Sequence, residues 1–143
     1  MNKTPFWIML AREGETTDGR YISAEKLTAL AENYSPENYT ALVRAGYDQK
    51  KYRVFLGEIL SVKTEAENDQ VCLYALIEPN ESWFSFMPKE YLESVQIFPG
   101  LEITEKSHAL GTQLVNGSVV GITLTEQPVI KNLEPLNKFM WMV

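Results

Sequence analysis

Among 143 residues the chain has one cysteine and one histidine. A single thiol, Cys72, cannot close an intrachain disulfide, so nothing points to a disulfide framework or an oxidising compartment. Cys72 lies inside the apolar run VCLYALI and reads as a small buried filler. One histidine and one cysteine far apart cannot make a zinc cluster, so no metal and no cofactor is expected. No apolar stretch approaches the roughly 20 residues of a membrane-spanning helix. The short apolar run near the N-terminus meets Glu13 at once and has no small-residue cleavage site, so it reads as a first strand rather than a signal peptide. Basic residues are the minority, 13 Lys and Arg against 19 Asp and Glu, for a net charge of −6. That balance argues against a dedicated nucleic-acid binder, which needs a basic face to displace counterions. The local group Lys50, Lys51 and Arg53 reads as a solvated edge. A phosphate-cradling glycine loop, a dinucleotide fingerprint and a G-x-S-x-G elbow are all missing.

What is present is ordinary globular material: 45% hydrophobic and 22% charged residues, enough to build one self-sufficient core. FWIMLA (Phe6 to Ala11) predicts a buried strand. REGETTDGR is turn chemistry, with Gly14 and Gly19 able to take positive φ and Asp18 suited to the corner before a glycine. Ser23 stands where an N-cap belongs, with Glu25 in the first turn. Leu27, Leu30, Ala31 and Tyr34 then share one helical face, and the helix must stop before Pro36. YRVFLGEILSVKTE and QVCLYALIEP flank the turn AEND and predict an antiparallel hairpin. Asn80 caps a short helix in NESWFSFMPKEY, and LESVQIFPGLEIT returns to strand-like alternation. Two β-branched runs around Asn116-Gly117 predict a second hairpin with a type I′ turn. The class that follows is α+β, an antiparallel β-barrel or sandwich with flanking helices, as a single domain over residues 1–143.

One segment says more than composition does. Glu13, Gly14, Thr16, Asp18, Gly19, Arg20, Ile22 and Ser23, followed by a helix and then Pro36 and Tyr39, resemble the opening of the GPO-type phage capsid scaffolding proteins. These are serine peptidases of the prohead-protease kind. ESVQIFPGL is similar to that family's serine strand, in which a serine precedes a hydrophobic residue and then Glu-Ile-x-Pro. NGSVVGITLTEQPVI resembles its strand ending in a polar pair and Asp-Pro. The resemblance covers most of the chain and implies cleavage of capsid proteins by a serine, a histidine and an aspartate. By position Ser94 matches the nucleophile and Asp18 the orienting acid. The histidine should follow Tyr39, but TALVRAGYDQKKYRVFLGE contains none, and Tyr47 stands near its place. The single histidine, His108, lies past the serine strand in the polar segment TEKSHALG, which reads as a loop.

A serine hydroxyl is a weak nucleophile unless a base takes its proton. Imidazole does so because its pKa lies near 6.5, whereas a tyrosine of pKa about 10 is protonated at neutral pH. Three readings follow. The first is a capsid assembly protein that kept the fold and lost the base, standing alone without the family's charged helical scaffold or left after its removal. The second is an active endopeptidase using Ser94, with His108 or a partner's histidine as base. The third is a binding module on the virion or at a phage–host contact. Capsid subunits and self-association are the expected partners, with no direct nucleic-acid recognition and no membrane. The host cytoplasm during assembly and the virion interior are the expected places. The final run FMWMV (Phe139 to Val143) reads as an exposed anchor that docks on another subunit, the alternative being that it folds back into a groove between the first helix and the sheet.

Overall fold

A computed structural model describes residues 4–45, 54–85, 89–103, 108–110, 113–115 and 117–140. Tyr47, Lys50, Lys51, Arg53 and residues 141–143 lie outside the described residues. Strand β1 (Phe6–Arg12) opens the chain, and a two-residue ladder of β2 (Gly14–Glu15) with β3 (Tyr21–Ile22) frames the Asp18 corner. Gly14 and Gly19 both take positive φ, 130° and 86°, as the turn chemistry predicts. Helix α1 (Ala24–Asn33) follows, capped by the Ser23 side chain, which accepts from Lys26 N at 3.1 Å. Leu27 and Leu30 are fully buried against the sheet, and Ala31 and Tyr34 pack beside them. The Tyr34 hydroxyl donates to Ile59 O at 2.5 Å and accepts from Ala41 N at 3.0 Å, tying the helix end to β4 (Leu42–Ala45) and β5 (Val54–Glu67).

β5 and β6 (Gln70–Pro79) form the long antiparallel hairpin that the alternation predicts. Its turn is tighter than the AEND segment: Asn68 and Asp69 alone turn the chain, both at positive φ (53° and 65°). That pair of signs matches the right-handed twist of the flanking strands. α2 (Glu81–Ser85) is capped by Asn80 Oδ1, which accepts from Trp83 N at 3.3 Å, and it buries Trp83 completely. α3 (Lys89–Leu92), β7 (Phe98–Ile103), β8 (His108–Leu110), β9 (Gln113–Val115), β10 (Val119–Thr125) and α4 (Asn137–Met140) complete the order.

Six strands make one sheet in the order β1-β6-β5-β4-β10-β7, curled into a half-barrel with its two edge strands approaching each other. The class is α+β. All pairs are antiparallel except β4 with β10, which run parallel because the whole β5–β7 excursion lies between them.

Three expectations are corrected. Asn116 lies outside the described residues, and among those described β9 does not pair with β10 as the predicted hairpin requires, because β10 already has β7 on one side and β4 on the other. β9 pairs instead with β8, in a separate two-stranded sheet. His108 accordingly opens strand β8, opposite Val115, rather than sitting in a loop. Finally, Phe139 is not a free anchor. Its ring stacks on Phe6 with centroids 4.3 Å apart, and its carbonyl accepts from the indole Nε1 of Trp83 at 2.7 Å. Phe139 therefore packs onto β1 and α2, not between the first helix and the sheet.

Candidate functional site

The Asp18 corner is closed by its own polar groups. Thr16, 3% exposed, donates its hydroxyl to the Asp18 carboxylate and accepts from Arg20 N at 3.0 Å. Thr16 N donates to Arg20 O at 2.8 Å, and Thr17 N donates to Val129 O at 2.8 Å, which anchors the corner to the last loop. Arg20 Nε donates to the second Asp18 oxygen at 2.9 Å. The Thr16 bond first, and the Arg20 bond second, hold the Asp18 carboxyl below the usual carboxylate range. Both carboxylate oxygens thus serve the turn.

Beside this corner lies a groove of about 670 Å³. One wall is Arg20 through Ser23 and the start of α1; the other is β7, from Pro99 to Ile103, with Thr123 and Thr125 of β10. Gly100 is paired with Thr123, and a Cβ built on it would stand 2.7 Å from the Thr123 carbonyl oxygen. Gly121, on β10, is crowded in a similar way. It sits between Leu42 and Glu102, where a Cβ would meet Glu102 Oε1 at 2.8 Å and Arg44 Nη2 at 3.4 Å. The missing side chain leaves room for Arg44 and Glu102 to face each other across β10 at 3.6 Å, an ion pair too long for a good hydrogen bond. Arg44 Nε and Glu102 Oε1 are buried without hydrogen-bond partners.

The sequence-predicted residues are not all brought together. Ser94 is exposed in the turn that follows α3 and does not line the groove; the strand begins only at Phe98. Asp18 stands at the corner that abuts the groove through Arg20. His108 stands on the separate β8–β9 sheet. Sequence reasoning missed Arg44, Gly100, Glu102 and Gly121, because their relation is cross-strand register between segments far apart in the chain. The Glu-Ile pair of Glu102-Ile103 was the one local signal that could have pointed to β7. Among the described residues, three or more His, Cys, Asp or Glu side chains nowhere gather as a metal site would require. Cys72 is buried, and burial raises its thiol pKa, which makes it a poor nucleophile.

No curated protein and no solved structure matches the chain. The family model described as GPO serine peptidase, N-terminal domain, matches residues 5–139. That match runs from β1 through the Asp18 corner and the groove to Phe139, so this chain belongs to the GPO serine peptidase family of phages.

Proposed function

We propose that the chain is a phage assembly protein that keeps the GPO peptidase fold and its groove and does not cleave. The family's pattern of serine, hydrophobic residue, Glu and Ile is echoed twice. Ser94-Val95-Gln96-Ile97 precedes the strand, and Gly100-Leu101-Glu102-Ile103 lies on it. Only the second lines the groove and pairs with β10, the other strand that carries the resemblance. The observation that carries the reading is therefore Gly100. A side chain there would collide with the Thr123 backbone, so a serine is not accommodated without moving the strand.

Two further features support it. Tyr47 stands in the sequence near the place of the family's histidine, and a phenol does not take a proton from serine at neutral pH. Asp18 is committed to Thr16 and Arg20. In this reading the partners are capsid subunits, met in the host cytoplasm during assembly or in the virion interior.

The test is incubation with a fluorophosphonate probe, and separately with the major capsid protein of the same phage. The expected result is no covalent label and an uncut capsid protein. Labelling that disappears in Ser94→Ala would overturn the reading and restore an active endopeptidase working through Ser94.

A further inference from the structure

We propose that a small cavity at the end of β1 binds a single carboxylate group, with Arg12 as its anchor. The cavity holds about 170 Å³ and shares no lining residue with the groove beside β7. Arg12, Glu13, Glu15, Gln70, Lys131 and Asn132 line it. Strand geometry brings Arg12 there. The ladder of β1 with β6 changes register between Met9 and Ala11, so Leu10 and Ala11 are both buried and Arg12 emerges on the face of Met9. The far wall comes from the last loop. That loop is tied to the Asp18 corner by the Thr17–Val129 main-chain bond and turns at Asn132, with φ 62°.

Arg12 is a half-buried cation without a counterion. Among the described residues no carboxylate stands within ion-pair distance of it. Its Nη1 donates to the Gln70 amide oxygen at 3.3 Å, its Nη2 meets the Met9 sulfur at 3.6 Å, and its Nε is buried without a partner. A neutral amide at that length and a thioether are weak acceptors for a full charge. Drawing a charge out of water costs free energy that a counterion recovers. Each terminal nitrogen keeps an unused N–H, and a carboxylate is the acceptor a guanidinium binds most strongly among side-chain groups. Gln70 holds the fork in place, because its Nε2 donates to Glu13 O at 3.3 Å while its oxygen takes the Nη1 bond.

The rest of the lining limits the charge of the ligand. Arg12 and Lys131 face Glu13 and Glu15, so the cavity as a whole is neutral. Glu13 is held to β6, its Oε1 accepting from Val71 N at 2.6 Å. Lys131 and Glu15 are exposed and have no ion pair among the described residues. A phosphate dianion would meet two carboxylates with both its charges; a carboxylate restores one pair at Arg12 and meets them with one. The group can belong to a free small acid or to an acidic side chain of another protein, since the chemistry at Arg12 is the same.

The test follows the Arg12 side-chain N–H resonances of the full chain by NMR as sodium acetate is added, with ionic strength held constant by chloride. Acetate should bind in the millimolar range, inorganic phosphate more weakly, and the uncharged isostere acetamide not at all. Glu15→Gln removes a repelling charge and should tighten acetate roughly two- to fivefold, and Lys131→Gln should weaken it by a similar factor. Arg12→Gln should abolish binding. That variant also removes a packed side chain, so the two exposed substitutions keep the test independent of folding. A glutamate blocked at both ends separates the sources: it binds as well as acetate if the cavity takes a partner's side chain, and is shut out if the cavity takes a free small acid. Arg12 resonances that ignore acetate, or respond equally to acetamide or chloride, would overturn the site. Unchanged affinity in both Glu15→Gln and Lys131→Gln would do the same, and phosphate binding tighter than acetate would overturn the choice of a carboxylate.

Discussion

Asp18, Thr16 and Arg20 form a corner that is closed by its own side chains. A carboxylate before a glycine suits a tight corner, and here Thr16 and Arg20 complete it with hydrogen bonds to both oxygens. The Thr16 and Arg20 bonds lower the folded-state pKa of Asp18 relative to the unfolded chain. The sign follows from linkage: the stabilisation is fully present above the unfolded value and is lost as pH falls through the folded one. In urea melts the difference between the wild type and Asp18→Asn should stay constant from about pH 7 to about pH 5 and shrink as the pH falls below the ordinary carboxylate range. A difference that survives at the acid end would show that the charge is not what holds the corner. Asp18, Gly19 and Ser23 were legible because every partner lies within a few residues. Asn137 was not. Its Oδ1 accepts from Ile97 N, and its Nδ2 donates to Leu92 O at 2.9 Å and Val95 O at 2.7 Å, all across a gap in sequence that carries no local signature.

Among the elements, β7 and β10 decide how the groove is built. Their glycines face different obstacles. At Gly100 the obstacle is the Thr123 backbone, which cannot move without the strand; at Gly121 the nearest atom is the end of the flexible Glu102 side chain. Gly100→Ala should therefore cost about 1–3 kcal/mol, the range for overpacking a rigid site, and Gly121→Ala less. Chemical denaturation of both variants checks the order, and equal losses would contradict the picture of a rigid ladder at Gly100. The same pair of strands explains the failed hairpin. Asn116-Gly117 has the right turn chemistry, and Gly117 does take positive φ (67°), but a strand with partners on both sides has no edge left. Local turn preference, worth little against two ladders, yields to the sheet.

For the whole molecule the C-terminal segment is a clasp. Leu136 and Asn137 hold the stretch before β7, and Phe139 closes over Phe6 and Trp83. Truncation after Lys138 removes the Phe6–Phe139 stack and leaves the buried Trp83 indole without its acceptor, a loss of roughly 2–4 kcal/mol. The melting temperature should fall by roughly 5–10 °C. Phe139→Ala keeps the carbonyl and should cost less. Thermal melts of the two variants test this; an unchanged melting temperature in the truncation would return the tail to the role of an external anchor.

The sequence by itself determined what depends on neighbours in the chain: the strands with alternating burial, the β5–β6 hairpin around AEND, the caps at Ser23 and Asn80, and the Asp18-Gly19 corner. Each rests on φ preference, periodicity or a hydrogen bond of short span. It also carried the family resemblance, through the run around that corner and the segments ESVQIFPGL and NGSVVGITLTEQPVI. Tertiary structure alone decided which strands share an edge and where β7 starts. It also put Gly100 rather than Ser94 on the groove, and Phe139 against the core. Those outcomes depend on cross-strand register and on competition for a limited number of strand edges. Neither quantity is written in any short window of sequence, because a register is chosen only when all the strands bury their apolar faces together.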